Sequence, residues 1–351
     1  MPQLNLDCEG PLTLNDNAFE LCETFIPNGG KFFALVSKYD DYLADIEKRP
    51  GYKAGDTLKL ILPFLKAHGV THTTMREFSR KTLKVLPRAI EFLRFAKAHW
   101  PTFIISTSYC PYLEALCDIA AFPMENVFCT RVEIDAVSLS SKEEKLLREL
   151  AQEIASLPMI ELPPEAQGLS DLPRESQEVI ARLEKIFWEI IPETNARRLL
   201  EETNPIGGPE KARAVVQSLE RTGLSSEEVL YVGDSITDVE AFELVREARG
   251  GTVSFNGNRY ALRKAEFYAL APQAAALACL AMIFADGGRE ALLKEARAGS
   301  FGLCERLPDE LSSYGKNFRF GLVETEDFEK LVAESETFRK EVRGEAVGAL
   351  G

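Results

Sequence analysis

The chain has little histidine and no closely paired cysteines. Only three histidines occur in 351 residues, and two of them, His68 and His72, lie four apart in HGVTH. Gly69 breaks a helix between them and no other ligand clusters nearby, so this pair predicts no metal site. The seven cysteines are scattered, odd in number and without a CxxC spacing. We therefore expect mostly buried thiols in a reduced compartment.

Long apolar stretches and a leader segment are also missing. The longest apolar stretch, around residues 274–285, is too short and too rich in alanine to span a bilayer. An acidic motif begins within the first seven residues, where a signal peptide would carry basic and apolar regions. We therefore expect a cytoplasmic protein with no membrane insertion.

Basic side chains are fewer than acidic ones. The chain has 41 basic and 55 acidic side chains, which give a net charge of −14. This balance argues against nucleic acid or an anionic membrane as a main partner. An anionic small substrate stays compatible with it, because a local site can be positive while the whole protein is negative. The length suffices for one large domain with insertions or for two domains.

Short buried strands alternate with amphipathic helices along the chain. This alternation predicts an α/β protein with a parallel, doubly wound sheet and right-handed crossovers. Two mostly helical blocks interrupt the alternation as insertions, and the tail is expected to add a strand and a helix. The predicted strands are residues 3–8, 102–106, 126–134, 229–232, 252–255 and 317–323, and the predicted tail helix is 327–342.

Polar side chains follow the predicted strands at the points where they end. Ligands bind at the carboxyl edge of open α/β sheets, so we predict that these side chains converge. An ordinary turn acid, helix cap or solvated lysine is the alternative for each position taken alone. The side chains are Asp7 and Glu9 after the first strand, Ser106 and Thr107 at the second, Lys211 after a Gly-Gly turn, and Asp234 and Asp238 in YVGDSITD.

These residue types suit phosphoryl transfer. Several carboxylates with few histidines favour a hard divalent cation such as Mg²⁺, which prefers oxygen ligands, and without a cation the carboxylates would repel each other. An aspartate can attack phosphorus to form an aspartyl-phosphate. A lysine and a hydroxyl can bind phosphoryl oxygens, and a carboxylate two residues further on can act as a general acid.

The order of these motifs resembles the haloacid dehalogenase-like (HAD) superfamily of phosphotransferases. CTRVEID and NPIGGPEKARAV are in addition similar to phosphoserine-phosphatase-like members. The resemblance implies a Rossmann-like core with a helical C1-type cap, a second insertion at the C2 position and a C-terminal extension. The implied segments are 1–13, 86–136 and 203–285 for the core, 14–85 and 137–202 for the insertions, and 286–351 for the extension.

The same resemblance implies roles for single residues. It makes Asp7 the nucleophile and a magnesium ligand, and Asp234 a second ligand that Asp238 supports. Ser106, Thr107 and Lys211 would bind the phosphoryl group of a small phosphorylated substrate. Glu9 would offer its backbone carbonyl to magnesium and its side chain as acid and base. The implied activity is an Mg²⁺-dependent phosphatase acting through an aspartyl-phosphate.

Glu9 departs from the pattern, because the family usually has aspartate at this position. The extra methylene moves the carboxyl group by roughly 1.3 Å, and such a misplacement can cost about 10² in rate. A weakly active or inactive accessory subunit is therefore a second possibility. LDCEGPLTLNDNAFEL is also similar to HAD-like proteins labelled energy-converting hydrogenase A subunit R, which implies association with a hydrogenase complex. A homo-oligomer is equally open.

Overall fold

A seven-stranded sheet forms the centre of the protein. The computed structural model describes residues 1–163, 165–298, 306–315 and 318–348. The spatial order of the strands is β3-β2-β1-β4-β5-β6-β7, which confirms the predicted α/β, doubly wound fold. The strands are β1 (Gln3–Leu6), β2 (Thr102–Tyr109), β3 (Val127–Thr130), β4 (Val229–Gly233), β5 (Gly251–Phe255), β6 (Phe267–Leu270) and β7 (Arg319–Leu322).

The strand order reverses between β1 and β4. Strands β1 to β6 run parallel, and β7 pairs antiparallel with β6 at one edge. The chain moves outward from β1 through β2 to β3 and then returns to β4 on the other side of β1. A crevice at such a reversal is where open α/β sheets bind ligands. The carboxyl ends of β1 and β4 are therefore the place to look for a site.

Sixteen α-helices lie among the described residues. Their side chains cover both faces of the sheet and build the insertions, and none of these helices is long and apolar enough to cross a membrane. The helices are α1 (Asn17–Phe25), α2 (Gly29–Asp41), α3 (Thr57–Ala67), α4 (His72–Thr82), α5 (Ala89–His99), α6 (Cys110–Ala120), α7 (Ser141–Ser156), α8 (Arg174–Lys185), α9 (Arg197–Glu202), α10 (Pro209–Thr222), α11 (Val239–Glu247), α12 (Arg259–Lys264), α13 (Ala275–Ala298), α14 (Asp309–Gly315), α15 (Phe328–Arg343) and α16 (Glu345–Gly348).

Apolar side chains on the two faces of the sheet pack into separate clusters. Leu4 and Leu6 of β1 point into a core formed with α5, α6 and α13. Tyr231 of β4 and Ile105 of β2 face the other way, toward α10 and α11. Fully burying one such side chain contributes about 1.5–3 kcal/mol. The two clusters therefore hold β1 and β4 rigidly in the middle of three layers.

The two helical insertions share one hydrophobic core. We call helices α1–α4 and α7–α9 the helical body. Tyr39 stacks on Phe187 with ring centroids 5.7 Å apart, and Phe64 meets Phe187 edge-on at 5.9 Å. Tyr109 of β2 joins this cluster and donates a hydrogen bond to the Leu58 carbonyl. The helical body is thus fastened to the end of β2, beside the strand-end residues.

Several elements differ from the sequence-based expectation. Strand β6 was not predicted, because four apolar residues followed by an alanine-rich run show no alternation. Helix α13 consists of two arms, because the backbone is not helical at Gly287 and Gly288. The strand expected over 126–134 ends at Thr130. In the tail, β7 lies within the predicted range 317–323, of which Asn317 is outside the described residues, and α15 overlaps the predicted range 327–342 but ends one residue later, at Arg343.

Cysteine pairing corrects the prediction of mostly free thiols. Cys110 at the start of α6 and Cys129 on β3 form a disulfide across nineteen residues of sequence. Cys279 is also disulfide-bonded. The fold brings Cys110 and Cys129 together because β2 and β3 are neighbours, and no short spacing in the sequence signals that pairing. The free, buried thiols are, within the described part of the chain, Cys8, Cys22 and Cys117.

Candidate active site

Asp7 and Asp234 leave the sheet side by side at the reversal point. The Asp7 amide donates to the Val232 carbonyl at 2.8 Å, so the β1–β4 pairing continues to the residue itself. Both side chains are buried, with exposures of 5% for Asp7 and 2% for Asp234. Residues separated by more than two hundred positions thus meet at one edge, which is the convergence that the strand ends predict.

Lys211 connects the acids from the first turn of α10. Gly208 precedes this helix with φ of +55° and Pro209 occupies its first turn, where proline is tolerated. The ammonium Nζ of Lys211 lies 2.7 Å from Asp7 Oδ2 and 2.7 Å from Asp238 Oδ1. The lysine has no solvent exposure. It is therefore a buried cation shared by two carboxylates and not a solvated helix lysine.

Asp238 uses both of its oxygens on protein donors. Oδ1 accepts from Lys211 and, at 2.8 Å, from the Tyr231 hydroxyl, while Oδ2 accepts from the amides of Asp234 and Ser235 at 3.0 Å each. A Cβ on Gly233 would lie 2.3 Å from Asp238 Cγ, so this loop needs glycine there. Asp238 therefore shapes the GDSITD loop and holds Lys211.

Hydroxyl groups line the end of β2. Ser106 is 1% exposed, and its Oγ accepts from the Ser108 amide at 3.2 Å, which leaves its own proton to donate. Thr107 lies beside it, but the Thr107 hydroxyl donates to the Ile206 carbonyl at 3.0 Å. Ser106 is thus the hydroxyl better placed to bind an anion, whereas Thr107 joins β2 to the turn before α10.

Glu9 follows Asp7 by two residues at the carboxyl end of β1 and is partly exposed. Its Oε1 accepts a hydrogen bond of 2.7 Å from the amide of Asn17, the first residue of α1. A carboxylate at a helix N-terminus is favourable because the first amides lack partners within the helix. The longer glutamate side chain thus spans the distance from the β1 loop to α1.

Two arginines from α15 complete the arrangement. Arg339 donates to Asp234 Oδ2 and to the Asp234 carbonyl, and Arg343 lies 3.3 Å from the same Oδ2. Arg343 also donates to the backbone carbonyls of Leu14 and Asn15. The side chains of Arg339 and Arg343 are 4% and 5% exposed. Helix α15 therefore reaches the carboxyl edge of the sheet.

A cavity of about 120 Å³ lies between these residues and the helical body. Asp16, at the N-cap of α1, faces it from the loop after β1. Asp40 and Asp41 of α2 line it from the helical body. All the predicted site residues except Lys211 and Asp238 appear in its wall, and those two lie directly behind Asp7. The wall residues at the sheet edge are Asp7, Glu9, Ser106, Thr107 and Asp234, together with Arg339 and Arg343.

Burial perturbs the ionisation of these groups. Burial, together with the carboxylates of Asp238 and Asp234, raises the pKa of Asp7 to about 8 against the opposing effect of Lys211. Burial and the neighbouring Asp16 raise the pKa of Glu9 well above its ordinary value. Burial lowers the pKa of Lys211, but the two carboxylates outweigh it and raise that pKa overall, so the lysine stays charged. The positive charges of the site therefore do not offset its buried carboxylates.

The acid cluster fits a metal ion. Asp7, Asp234 and Asp238 each offer a carboxylate oxygen within 4.8 Å of the others. Asp238 already accepts five protein hydrogen bonds, so Asp7 and Asp234 are the carboxylates left for direct ligation. A cation between them would relieve the repulsion that raises the pKa of Asp7. The donors are oxygens, which hard divalent cations prefer.

Arg339 and Arg343 are, like Asp16, Asp40 and Asp41, residues of the cavity wall that sequence reasoning missed. The available signal was the spacing in the tail helix, where Leu331, Ser335, Arg339 and Arg343 recur every four residues and share one helix face. Arginine on an otherwise apolar or small-residue stripe indicates a buried partner of opposite charge. That partner, Asp234, lies more than one hundred positions earlier, and no local pattern identifies it.

No family model and no curated protein matches this chain. Among solved structures, the chain is similar to the one described as "Structure of gene product AF1437 from Archaeoglobus fulgidus". The two sequences are 29% identical, the TM-score is 0.82, and the match covers 100% of this chain and 99% of that one. The archaeal protein therefore shares the architecture over its whole length, including the part that corresponds to the C-terminal extension.

Proposed function

We propose that this protein is an Mg²⁺-dependent phosphomonoester hydrolase of the HAD superfamily type that works through an aspartyl-phosphate on Asp7. The observation that carries the proposal is the buried triangle of Asp7, Lys211 and Asp238, with 2.7 Å between Lys211 Nζ and an oxygen of each acid. It stands beside Asp234 at the strand-order reversal. A carboxylate nucleophile, a fixed cation and a metal-binding acid at one point are what phosphoryl transfer requires.

The first half-reaction uses four of the side chains. An Asp7 carboxylate oxygen attacks phosphorus, the bond from phosphorus to the ester oxygen breaks, and an aspartyl-phosphate forms. Lys211 neutralises charge on the phosphoryl oxygens, and the Ser106 hydroxyl donates to one of them. Glu9 supplies the proton to the leaving alkoxide, and the burial that raises the pKa of its carboxyl group favours the protonated form that a general acid needs.

The second half-reaction restores the enzyme. Glu9, now a carboxylate, takes a proton from water as the water oxygen attacks phosphorus, and the bond to Asp7 breaks to release inorganic phosphate. Asp7 and Asp234 would hold magnesium, which would neutralise charge on the transferring group when bound. Asp238 acts indirectly, because it positions Lys211 and the loop that carries Asp234.

The test is phosphate release by the purified full-length protein with Mg²⁺ on a panel of small phosphate esters. We expect turnover, its loss in Asp7→Asn, and a phosphorylated peptide containing residue 7 after acid quenching. Asp118→Asn, an exposed aspartate on α6 paired with Arg80, is the matched control and should retain activity. Circular dichroism confirms folding of both variants. Absence of turnover across the panel would contradict the proposal.

A second candidate is a weakly active or inactive accessory subunit with the same fold, such as one associated with a hydrogenase complex. Two observations favour it. Glu9 makes a hydrogen bond with the Asn17 amide that ties up one of its oxygens, and Arg339 pairs with the acid proposed to bind metal. If the protein is of this kind, Asp7→Asn leaves its partner binding intact and no phosphate ester is turned over.

A further inference from the structure

The C-terminal helix α15 is attached over the candidate site by more than its arginines. Leu331 and Val332 pack with Leu262 and Tyr268 of the core. Ser335 is fully buried, and its hydroxyl donates to the Gly257 carbonyl at 2.6 Å. One helix turn further on, Arg339 meets Asp234. The helix therefore has its own apolar anchorage, and its last turns extend from that anchorage to the carboxyl edge of the sheet.

The oxygen that Arg339 contacts is closely surrounded. An added Cβ at Gly10, which has φ of +102°, would lie 2.1 Å from Asp234 Oδ2. Oδ2 is thus held between the Gly10 backbone on one side and the guanidinium groups of Arg339 and Arg343 on the other. A carboxylate in this position has little room to turn away from its arginine partners.

The burial of this ion pair calls for an explanation beyond stability. Asp234 and Arg339 are 2% and 4% exposed, and desolvating two charges often costs as much as their attraction returns. An apolar pair could pack the same space without that cost. The charge of Arg339 is therefore better explained by a second role of Asp234, which Asp234 takes when Arg339 is displaced from it.

We propose that Arg339 is an internal counter-cation that occupies Asp234 in the metal-free protein, so that binding of a divalent cation displaces it and loosens the C-terminal end of α15. The inference rests on the proposed function, because it takes Asp234 as a metal ligand. A guanidinium and a divalent cation are both positive and compete for the same carboxylate. Arg343 has partners besides Asp234, because it also donates to the Leu14 and Asn15 carbonyls.

Competition of this kind is reciprocal. If docking of the Arg339 turn weakens cation binding by some factor, cation binding weakens docking by the same factor. Coupling between two binding events in one protein is typically about 5- to 150-fold. The C-terminal extension thereby adjusts the cation affinity of a site to which it contributes no metal ligand. Arg339 is a positioning residue in this scheme, since it acts through Asp234.

Calorimetric titration of the full-length, ligand-free protein with Mg²⁺ tests the first half of the scheme. We expect Arg339→Gln to bind Mg²⁺ about 5- to 150-fold more tightly than the parent protein. Lys340→Gln is the matched control, because Lys340 is the next cation on the same helix and does not line the cavity; its affinity should equal that of the parent. Asp234→Asn should lose the binding in either background.

Hydrogen exchange of the parent protein tests the second half without any substitution. Saturating Mg²⁺ should increase exchange of the amides in the last two turns of α15 and leave the Leu331 turn protected. Two results would overturn the inference. One is an Mg²⁺ affinity that Arg339→Gln leaves unchanged or weakens, and the other is undiminished protection of those turns when Mg²⁺ is bound. If only the inference is wrong, the protein still releases phosphate. If no variant binds Mg²⁺, the proposed function is wrong as well.

Discussion

Lys211 Nζ lies 2.7 Å from Asp7 Oδ2, and the lysine side chain has no contact with solvent. We predict that Lys211→Met lowers turnover of phosphate esters by about 10²–10³, the usual cost of removing a donor that stabilises developing charge. The same change should destabilise the fold by about 3–5 kcal/mol, because it leaves two buried carboxylates without their cation. Phosphate release and urea unfolding at neutral pH measure the two effects.

Arg213→Met is the matched control for this prediction. Arg213 is on the same helix, two positions later, but its side chain is 72% exposed and pairs with Glu210 at the surface. Exposed pairs contribute little, so both activity and unfolding should stay near those of the parent protein. Equal behaviour of the two variants would mean that the buried lysine has no special role.

Glu9 should matter most for substrates with poor leaving groups. We predict that Glu9→Gln slows hydrolysis of an alkyl phosphate by about 10²–10⁴, since the leaving alkoxide needs the proton that the acid supplies. An aryl phosphate with an acidic phenol should lose far less in the acid step, because its leaving group departs without a proton. Steady-state rates on the two esters give the ratio. An equal loss on both would contradict an acid role.

Replacing Glu9 by aspartate distinguishes the two candidate functions. Asp at position 9 removes one methylene and with it the reach to the Asn17 amide, which Glu9 contacts at 2.7 Å. If the protein is an enzyme adapted to glutamate, Glu9→Asp lowers the rate. If it is an accessory subunit derived from an enzyme, the change produces or greatly increases phosphate release. Rates on one alkyl phosphate with Mg²⁺ decide between them.

Gly10→Ala should damage the site through Asp234. The alanine would hold φ near +102° and place Cβ 2.1 Å from Asp234 Oδ2, so both backbone strain and a steric clash follow. Strain alone costs about 1–3 kcal/mol, and we expect a larger loss together with weaker Mg²⁺ binding. Thermal unfolding and calorimetric titration measure these two quantities.

Gly51→Ala separates strain from clash. Gly51 has φ of +78°, but no atom lies within 4 Å of where its Cβ would be. This variant should lose about 1–2 kcal/mol from the left-handed backbone alone and keep its Mg²⁺ affinity. If Gly10→Ala resembles Gly51→Ala in both thermal unfolding and Mg²⁺ affinity, the close approach of residue 10 to Asp234 does not affect metal binding.

The parts of the fold that sequence predicts are those with local signals. Buried apolar runs such as the one ending at Asp7 identify the central parallel strands, and the Gly-Pro step before Lys211 fixes the start of α10. Strand β6 carries no alternation and was missed. The Cys110–Cys129 disulfide was also missed, because it depends on which strands are neighbours.

The residues of the candidate site also divide into those that sequence predicts and those that it does not. Convergence of Asp7 and Asp234 was predictable, since carboxyl ends of parallel strands share one edge of a sheet. The ion pair between Asp234 and Arg339 was not, because it joins the sheet edge to a helix in the tail through contacts that exist only in the folded chain. Sequence likewise gave no sign that the Thr107 hydroxyl is engaged by the Ile206 carbonyl.

Asp40 gives the protein a pH-dependent stability that is separate from the metal ligands. It is 6% exposed and accepts hydrogen bonds from the Tyr52 hydroxyl at 2.6 Å and the Gly55 amide at 3.1 Å. Burial, with a contribution from the Asp41 carboxylate, raises its pKa from 3.8 to about 7. Between those two values the folded protein holds a proton that the unfolded chain has released.

Stability should therefore fall as pH rises from about 4 to 7, by at most about 1.4 kcal/mol per pH unit from this group. The sign follows because the native state binds more protons than the unfolded state over that range. We predict that Asp40→Asn flattens this slope, while Asp171→Asn, an exposed aspartate in the second insertion, leaves it unchanged. Urea unfolding at pH 5 and pH 7 measures the difference. A slope unaltered by Asp40→Asn would place the titration on another group.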